Sequence, residues 1–347
     1  MEAIKITKDK EKIINIRDIK QLSKDSDFAL TGIVTKIYRR LDRNNRPFWE
    51  IMVTDTTGDI TGRAWFDSSW QNIQNGDKFP IDPDNCGFNF EGLSMGFIGR
   101  ISDYKGQLQY NFTEIYILDQ NKYPPKSFIK RSPLKQEFLE ESFKSLINEI
   151  SNETLKNFLN AIFFKHGLWE KFRTYPAAVT FHHAYTAGLL EHSVSVTLGA
   201  RDMAEHYKNF NVPISIDLII AGALLHDIGK TESYKNDTIP KTLPEASVID
   251  HTVIGYHMFM KAAEIEKIDH DLTLALGHII LSHHGKFEYG APVLPQTPEA
   301  LIVNAADEID FRVTFWRNQI ENLNPQSDFT DYIPMLERRL WRGISLK

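Results

Sequence analysis

The chain has 347 residues, 42% hydrophobic and 25% charged, as in soluble globular proteins, and its length predicts two domains of ~100–200 residues each. Cys86 is the only cysteine, which excludes an internal disulfide and a thiolate metal cluster; with no secretion signal and no run of ~18 apolar residues, we expect a cytoplasmic protein and no membrane contact. The net charge of −6 divides into +3 for residues 1–135 (21 Lys+Arg against 18 Asp+Glu) and −9 for residues 136–347 (19 against 28), so a carboxylate-rich site is expected in the second part.

The N-terminal third of the chain predicts five β-strands. β-Branched and aromatic residues are concentrated in five stretches, 28–38, 47–54, 60–66, 95–101 and 107–116. Strands with this spacing resemble an OB-fold barrel, which binds single strands through basic groups on the backbone and aromatic rings under the bases. We predict that nucleic acid is contacted by Lys36, Tyr38, Arg39, Arg40, Arg43, Arg46, Phe48, Trp49 and Trp65. The alternative for each is a role in the barrel core or on the solvated surface.

A linker is predicted at residues 120–135, where proline and charge are concentrated. Apolar residues recur at helical spacing beyond it, and no strand pattern of comparable strength follows. The expected organisation is therefore multidomain, with an all-β OB-fold barrel over residues 1–119 and an all-α helical bundle over residues 136–347. In the closing segment, Arg338 or Arg339 could bind phosphate, although packing or solvation explains them equally well.

A histidine and aspartate pattern carries the main functional signal. All twelve histidines lie within residues 166–284. Five of them and two aspartates follow the order His192, His226-Asp227, His251, His283-His284 and Asp307. Imidazole and carboxylate together provide the nitrogen and oxygen ligands of a divalent transition metal. Each histidine taken alone could be an ordinary helix residue, whereas the ordered set favours a metal site.

The pair His226-Asp227 is predicted to lie at the end of a helix. The apolar run before it predicts a buried helix with Ser215 as its N-cap and Gly229 as the residue just past its end. A carboxylate at such a position can bridge two cations, and a cation pair ~3.5–4 Å apart promotes hydrolysis of phosphate esters. The sequence therefore predicts a phosphoester hydrolase.

The residues around these positions resemble a known family. His226-Asp-Ile-Gly-Lys230, with a histidine upstream and an aspartate downstream, is similar to the HD superfamily of metal-dependent phosphohydrolases. The stretches 182–192, 283–292 and 297–310 resemble one branch of it, the YhaM-type 3′-to-5′ exoribonucleases. The resemblance covers nearly the whole chain, including the barrel.

The resemblance implies a role for each matching residue. One metal would be held by His192, His226, Asp227 and Asp307, and Asp227 would bridge to a second metal held by His251 and His283. Asp227 and Lys230 would be catalytic, the latter as the partner of a phosphoryl oxygen. Residues that support the ligands or contact substrate would be His182, His183, His284 and Asp310. Related three-metal enzymes carry glutamate where this chain has Gly188, so two metals are expected; manganese is preferred, with Fe, Co, Ni, Zn or Mg as alternatives.

The resemblance further implies a hydrolase that shortens single-stranded RNA, or single-stranded DNA, from its 3′ end and releases nucleoside 5′-monophosphates. One alternative is an HD-type nucleotide or cyclic-dinucleotide phosphohydrolase with a regulatory barrel. Another is a non-catalytic RNA-binding adaptor whose metals are structural. A homo-oligomer is compatible with the sequence, which does not specify the oligomeric state.

Overall fold

The computed structural model describes residues 13–74, 76–104, 107–178, 183, 185–235, 241–321, 323 and 327–344. The chain divides into two compact units, residues 1–130 with 319–347, and residues 131–318. The division after residue 130 falls inside the predicted linker. The C-terminal 29 residues group with the first unit, whereas the sequence predicted one continuous domain over residues 136–347. The helical unit therefore ends within its last helix.

The first unit contains one sheet. Its strands are β1 (Asp27–Leu41), β2 (Pro47–Asp55), β3 (Gly58–Gln74), β4 (Asp77–Pro80), β5 (Ser94–Tyr104) and β6 (Gln107–Ile117). Antiparallel pairs join β1 to β2, β2 to β3, β1 to β5 and β5 to β6, and β3 pairs in parallel with β6. These pairings connect five strands in a ring, the arrangement of an OB-fold barrel. All five predicted strands are confirmed and each is longer than predicted, most of all β3, which covers 17 residues where the prediction covered 60–66. The short, exposed β4 was not predicted.

Aromatic side chains fill the barrel. The rings of Phe97 and Phe112 are 4.6 Å apart between centroids, and Phe28 packs edge-on against Phe112. Gly62 makes room for this packing, since a Cβ there would lie 2.2 Å from the Phe112 ring. The short helix α1 (Ile16–Ile19) adds two buried isoleucines to the same core.

The second unit is helical, as predicted. Its helices are α2 (Gln136–Glu149), α3 (Glu153–Asn160), α4 (Trp169–Phe172), α5 (Gly188–Lys208), α6 (Ile216–Leu225), α7 (Pro244–Val248), α8 (His251–Glu266), α9 (His270–Ser282) and α10 (Pro298–Glu321). After α6, two strands of two residues each, β7 (Tyr234–Lys235) and β8 (Lys241–Thr242), pair in antiparallel orientation. Among the described residues, no helix combines the length and apolar character needed to cross a membrane.

Helix α6 lies at the centre of this unit. Ser215 is its N-cap, as predicted, because its side chain accepts a hydrogen bond from Leu218 N. The helix ends at His226. The prediction that Gly229 is the residue just past the helix end is wrong, since the C-cap is His226 and Gly229 lies in the following 3-10 turn, Ile228–Glu232. Glycine is needed there because a Cβ would lie 2.0 Å from His251 O.

Candidate metal centre

Five helices bring the predicted metal ligands together. His192 lies in the second turn of α5, and His251 is the first residue of α8. His226 and His283 are the C-cap residues of α6 and α9. Asp307 lies within α10. Residues separated by more than a hundred positions in sequence therefore meet at one point, as the pattern predicted.

Asp227 lies at the centre of the cluster, and its side chain is almost fully buried. Its Oδ2 is 3.3 Å from the Nε2 atoms of both His192 and His226. Its Oδ1 is 3.2 Å from His251 Nε2 and 3.7 Å from His283 Nε2. Each carboxylate oxygen therefore faces a different pair of imidazoles, which is the arrangement of a bridging carboxylate.

The two oxygens of Asp227 define two groups of ligands. The first group contains His192, His226, Asp227 Oδ2 and Asp307, whose Oδ1 is 3.2 Å from His192 Nε2. The second group contains Asp227 Oδ1 with His251, His283 and His284; the nitrogens of these three histidines lie within 4.8 Å of one another. The resemblance had placed His284 outside the ligand set, whereas the geometry makes it a candidate ligand.

Hydrogen bonds fix the tautomers of three histidines. His226 Nδ1 is 2.6 Å from Ala223 O, and His283 Nδ1 is 2.7 Å from Ile280 O. His284 Nδ1 is 2.8 Å from the carbonyl oxygen of Tyr289. A carbonyl only accepts, so each Nδ1 donates its hydrogen and each Nε2 keeps a lone pair for a metal.

In the other two histidines, His192 and His251, the Nδ1 atom faces a carboxylate oxygen instead of a backbone carbonyl. His192 Nδ1 is 2.8 Å from Asp310 Oδ2, and His251 Nδ1 is 3.3 Å from Asp250 Oδ1. A carboxylate that accepts from a ligand imidazole fixes the ring orientation and increases its basicity toward metal. The Nε2 atoms of His192, His226, His251 and His283 all face the Asp227 carboxylate.

Several polar atoms at this centre lack a protein partner. Among the described residues, Asp227 Oδ1, His251 Nε2 and His283 Nε2 are buried and form no hydrogen bond. Buried polar atoms are normally paired, because an unpaired one loses its hydration without compensation. A divalent cation would satisfy all three, and imidazole with carboxylate is a suitable donor set. The residues therefore fit the metal that the sequence predicted.

Burial and charge shift the pKa values of these groups in opposite directions. Burial alone would raise the pKa of Asp227, but Lys230 and His226 hold that pKa well below its usual range. Burial lowers the pKa of Lys230, but Asp227 raises it above its usual value. Burial and the neighbouring His284 lower the pKa of His283 well below its usual value. The site thus contains an ionised carboxylate and a neutral imidazole, which are the forms that bind metal.

Comparison with known proteins agrees with this geometry. Residues 189–312, which contain all the proposed ligands, match the family model of the HD domain. These residues form an HD domain. Over 297 residues the chain is 28% identical to the 3′-5′ exoribonuclease YhaM of Bacillus subtilis. The aligned region covers 85% of this chain and 88% of YhaM.

A solved structure matches the barrel only weakly. The second OB-fold domain of replication protein A from Methanococcus maripaludis is 16% identical and covers 29% of this chain and 92% of its own, with a TM-score of 0.20. The assignment of an OB-fold barrel therefore rests on the ring of strand pairings.

A network of polar groups lies behind the first ligand group of the HD domain. Asp310 Oδ2 accepts from His192 Nδ1 and lies 3.0 Å from His183 Nε2. His183 Nδ1 lies 2.8 Å from the Tyr185 hydroxyl, which donates to Glu191 Oε2 at 2.8 Å. The sequence prediction included Asp310 and His183 but missed Tyr185 and Glu191, since neither belongs to the ordered histidine and aspartate pattern of this sequence. His182 lies outside the described residues.

The backbone holds His183 tightly against this network. His183 is 1% exposed and has a left-handed φ of 49°, which is unusual for a residue with a side chain. A Cβ at Gly188 would lie 1.9 Å from His183 O. Gly188 therefore has no room for a side chain.

The predicted aromatic contacts of the barrel divide into two sets. Trp49 is 7% exposed and packs against Trp70 in the barrel core, so the prediction that it contacts nucleic acid is wrong. Phe48, its neighbour on the other face of β2, is half-buried and lies 5.0 Å from Trp65 on β3. Phe66, which was not predicted, is 48% exposed, and the Arg46 guanidinium lies 4.3 Å from its ring centroid.

The remaining predicted contacts are on the surface of the first unit. Lys36, Tyr38, Arg39, Arg40, Arg43 and Arg46 are exposed. Three of the arginines form ion pairs, Arg39 with Asp84, Arg40 with Glu50 and Arg46 with Asp42. Exposed ion pairs contribute little, about 0–1 kcal/mol, so these arginines can exchange a carboxylate for a phosphate at small cost.

Proposed function

We propose that the protein is a metal-dependent exoribonuclease that shortens single-stranded RNA from its 3′ end and releases nucleoside 5′-monophosphates. The observation that carries this proposal is the convergence of four imidazole Nε2 atoms, those of His192, His226, His251 and His283, on the buried Asp227 carboxylate. Similarity to the exoribonuclease YhaM over most of both chains supports the polarity and the substrate.

The HD domain would hold two divalent ions. Asp227 would bridge them, with His192, His226 and Asp307 on one and His251, His283 and His284 on the other. Such a pair lowers the pKa of water and neutralises charge on a phosphoryl group. Manganese suits mixed nitrogen and oxygen ligands and is the metal we propose, with Fe, Co, Ni, Zn and Mg as alternatives.

Lys230 has a double role in this proposal. Its ammonium lies 2.6 Å from Asp227 Oδ2 and is 8% exposed, so it offsets the charge of the bridging carboxylate. An ammonium has three N–H donors, and a phosphoryl oxygen can accept one that Asp227 does not use. Asp227 would thereby hold Lys230 beside the metals that act on the phosphodiester.

Asp310 and His183 would position a ligand and not contact the substrate. Asp310 accepts the Nδ1 hydrogen of His192, and His183 holds Asp310 from the other side. The ring of His192 thus keeps the orientation and tautomer that direct Nε2 toward Asp227 and Asp307.

The barrel would hold the RNA strand. Phe48 and Trp65 form an aromatic pair on β2 and β3, and Arg46 lies over the exposed ring of Phe66. Rings of this kind stack with any base, and arginine binds the phosphate backbone, so the binding would depend little on sequence. Further candidates for contact with the RNA are the exposed residues Lys36, Tyr38, Arg39, Arg40 and Arg43. With only Cys86 as a thiol and RNA as the substrate, we propose that the enzyme acts in the cytoplasm.

The decisive experiment compares the wild-type protein with Asp227→Asn on 5′-labelled RNA in the presence of Mn²⁺. The wild type should produce a ladder that shortens from the 3′ end and nucleoside 5′-monophosphates. The variant should bind the RNA and leave it intact, because an amide cannot supply two anionic oxygens. Circular dichroism serves as the control for folding.

Two outcomes would refute the proposal. Hydrolysis of nucleotides or cyclic dinucleotides with intact RNA would identify a nucleotide phosphohydrolase. RNA binding with no hydrolysis by the metal-loaded wild type would identify an adaptor.

A further inference from the structure

The turn that follows His283 and His284 exposes two aromatic rings. Phe287 and Tyr289 belong to a single 3-10 turn, Phe287–Tyr289, and are 62% and 55% exposed. Tyrosine and phenylalanine present large apolar faces, and their exposure beside a polar site is typical of a surface that binds a ligand.

This turn borders the second ligand group. The carbonyl oxygen of Tyr289 accepts from His284 Nδ1 at 2.8 Å. The next residue, Gly290, has a φ of 91°, and a Cβ there would lie 3.8 Å from both His284 Nδ1 and Asp250 Oδ2. Asp250 in turn lies 3.3 Å from His251 Nδ1. The turn is therefore hydrogen-bonded to one of the three histidines of the second group, and its end lies beside the carboxylate that contacts another.

Hydrogen bonds make the turn rigid. The N–H groups of Tyr289 and Ala291 both donate to Lys286 O, each at 3.1 Å, and Gly290 N donates to Phe287 O at 3.0 Å. At the start of the turn, Asn304 Nδ2 donates to His283 O at 2.7 Å. A turn held at both ends presents its rings without a large loss of conformational entropy on binding.

A cation accompanies the two rings. Lys286 is exposed, and its ammonium lies 5.2 Å from the centroid of the Tyr289 ring. A base stacks on an aromatic face and its phosphate attracts a cation, so rings beside a lysine match the chemistry of a nucleotide.

We propose that the turn Lys286–Tyr289 is a subsite for the 3′-terminal nucleotide, in which Phe287 and Tyr289 stack with the base and Lys286 attracts the backbone. The proposal rests on the exoribonuclease function above. It adds the direction in which the RNA strand crosses the metal centre. The leaving nucleotide lies on the side of His251 and His284, and the rest of the strand extends toward the first ligand group. Stacking accepts every base, as complete degradation of an RNA requires.

The test uses two single-stranded RNAs that differ only at the 3′ end, one with adenosine and one with an abasic ribose. Wild-type protein loaded with Mn²⁺ should cleave the first with a kcat/KM about tenfold higher, the size of effect expected for one stacked base. The double variant Phe287→Ala/Tyr289→Ala should lose this preference and cleave the abasic RNA at the wild-type rate.

Matched variants separate stacking from structural support. Phe210→Ala removes a ring of the same unit that is 68% exposed and distant in sequence from the turn, and it should keep the full preference. Tyr289→Phe should keep it as well, because the ring remains. Phe287→Leu should lose part of it, because leucine supplies apolar volume without an aromatic face.

Three results would overturn the subsite. Equal cleavage of both RNAs by the wild type would show that the terminal base is not recognised, while leaving the nuclease function intact. A double variant that is slower by the same factor on both RNAs would show that the rings support the fold. Cleavage of neither RNA by the wild type would refute the nuclease function and the subsite together.

Discussion

Replacing Asp310 with asparagine should weaken the first metal by a mechanism that the structure defines. The carboxylate of Asp310 receives His192 Nδ1 at 2.8 Å, His183 Nε2 at 3.0 Å and Ser195 Oγ at 2.5 Å. An amide of the same shape keeps one acceptor oxygen and introduces two N–H donors. At least one of the three groups then faces a donor. If it is His192, the ring must move its hydrogen to Nε2, which can then no longer bind metal.

The magnitude follows from the role of such partners. Loss of the group that orients a ligand imidazole costs about 10–100-fold in metal affinity, or ~1.4–2.7 kcal/mol. Of the three groups that bond Asp310, His192 is the proposed metal ligand, so the loss should be confined to the ion shared by His192, His226 and Asp307. Isothermal titration with Mn²⁺ should therefore show one weakened and one unchanged site, and anomalous diffraction at the manganese edge should identify the weakened one.

Asp250→Asn is the matched control at the other metal. Asp250 lies 3.3 Å from His251 Nδ1, and it also caps α8 by accepting from Thr252 N at 2.8 Å. Asparagine caps helices as well as aspartate does, so the helix keeps its N-terminus. This variant should weaken the second ion and spare the first. Wild-type affinity at both sites in Asp310→Asn, or the same pattern of loss in both variants, would refute the assigned roles.

Trp65→Ala should weaken binding of single-stranded RNA by about 1–3 kcal/mol in a filter-binding assay, because one stacking surface is removed. Trp49→Ala should instead lower the free energy of unfolding by about 3–5 kcal/mol in urea titrations, because its ring fills the barrel core; an effect of both variants on RNA binding alone would contradict this division. Manganese affinity should fall as the pH is lowered, because protons then compete with the metal for His192 and His251. Burial lowers the pKa values of these two histidines, but the neighbouring carboxylates outweigh burial and raise both pKa values above the usual value. Calorimetric titrations at several pH values would measure this competition, and a constant affinity would contradict it.

The barrel strands could be predicted because the signal for a strand lies in the residues of that strand alone. Residues at alternate positions of β2 are buried, and its β-branched and aromatic content predicted a strand directly. Strand β4 has four exposed residues and no apolar alternation, so its sequence contained no comparable signal. Alternation also states that Phe48 and Trp49 face opposite sides, but not which of them is inside. That choice depends on the curvature of the barrel, which brings Trp70 against Trp49.

The metal ligands were predictable in kind, because few side chains bind divalent metals and the order of histidine and aspartate is specific. The supporting contacts were not predictable. His284 acquires its tautomer from Tyr289 O, which depends on the path of the turn between them. Tyr185 bonds His183, and Glu191 bonds Tyr185. The backbone at His183 has a left-handed φ, which the amino-acid composition of the segment does not predict. The sequence thus predicted which residues cluster, and the backbone around them determines which ring nitrogen each histidine directs away from the cluster.

The ends of α6 and α9 show why this site forms where it does. The last carbonyl groups of a helix lack intrahelical partners, and here Ala223 O and Ile280 O accept from His226 Nδ1 and His283 Nδ1, each three residues further along. One hydrogen bond therefore caps the helix, orients the ring and leaves Nε2 bare for a cation. The negative end of each helix dipole also favours positive charge at this point. A histidine that directly follows a buried apolar helix combines these effects in one residue, and two such helix ends place His226 and His283 against different oxygens of Asp227.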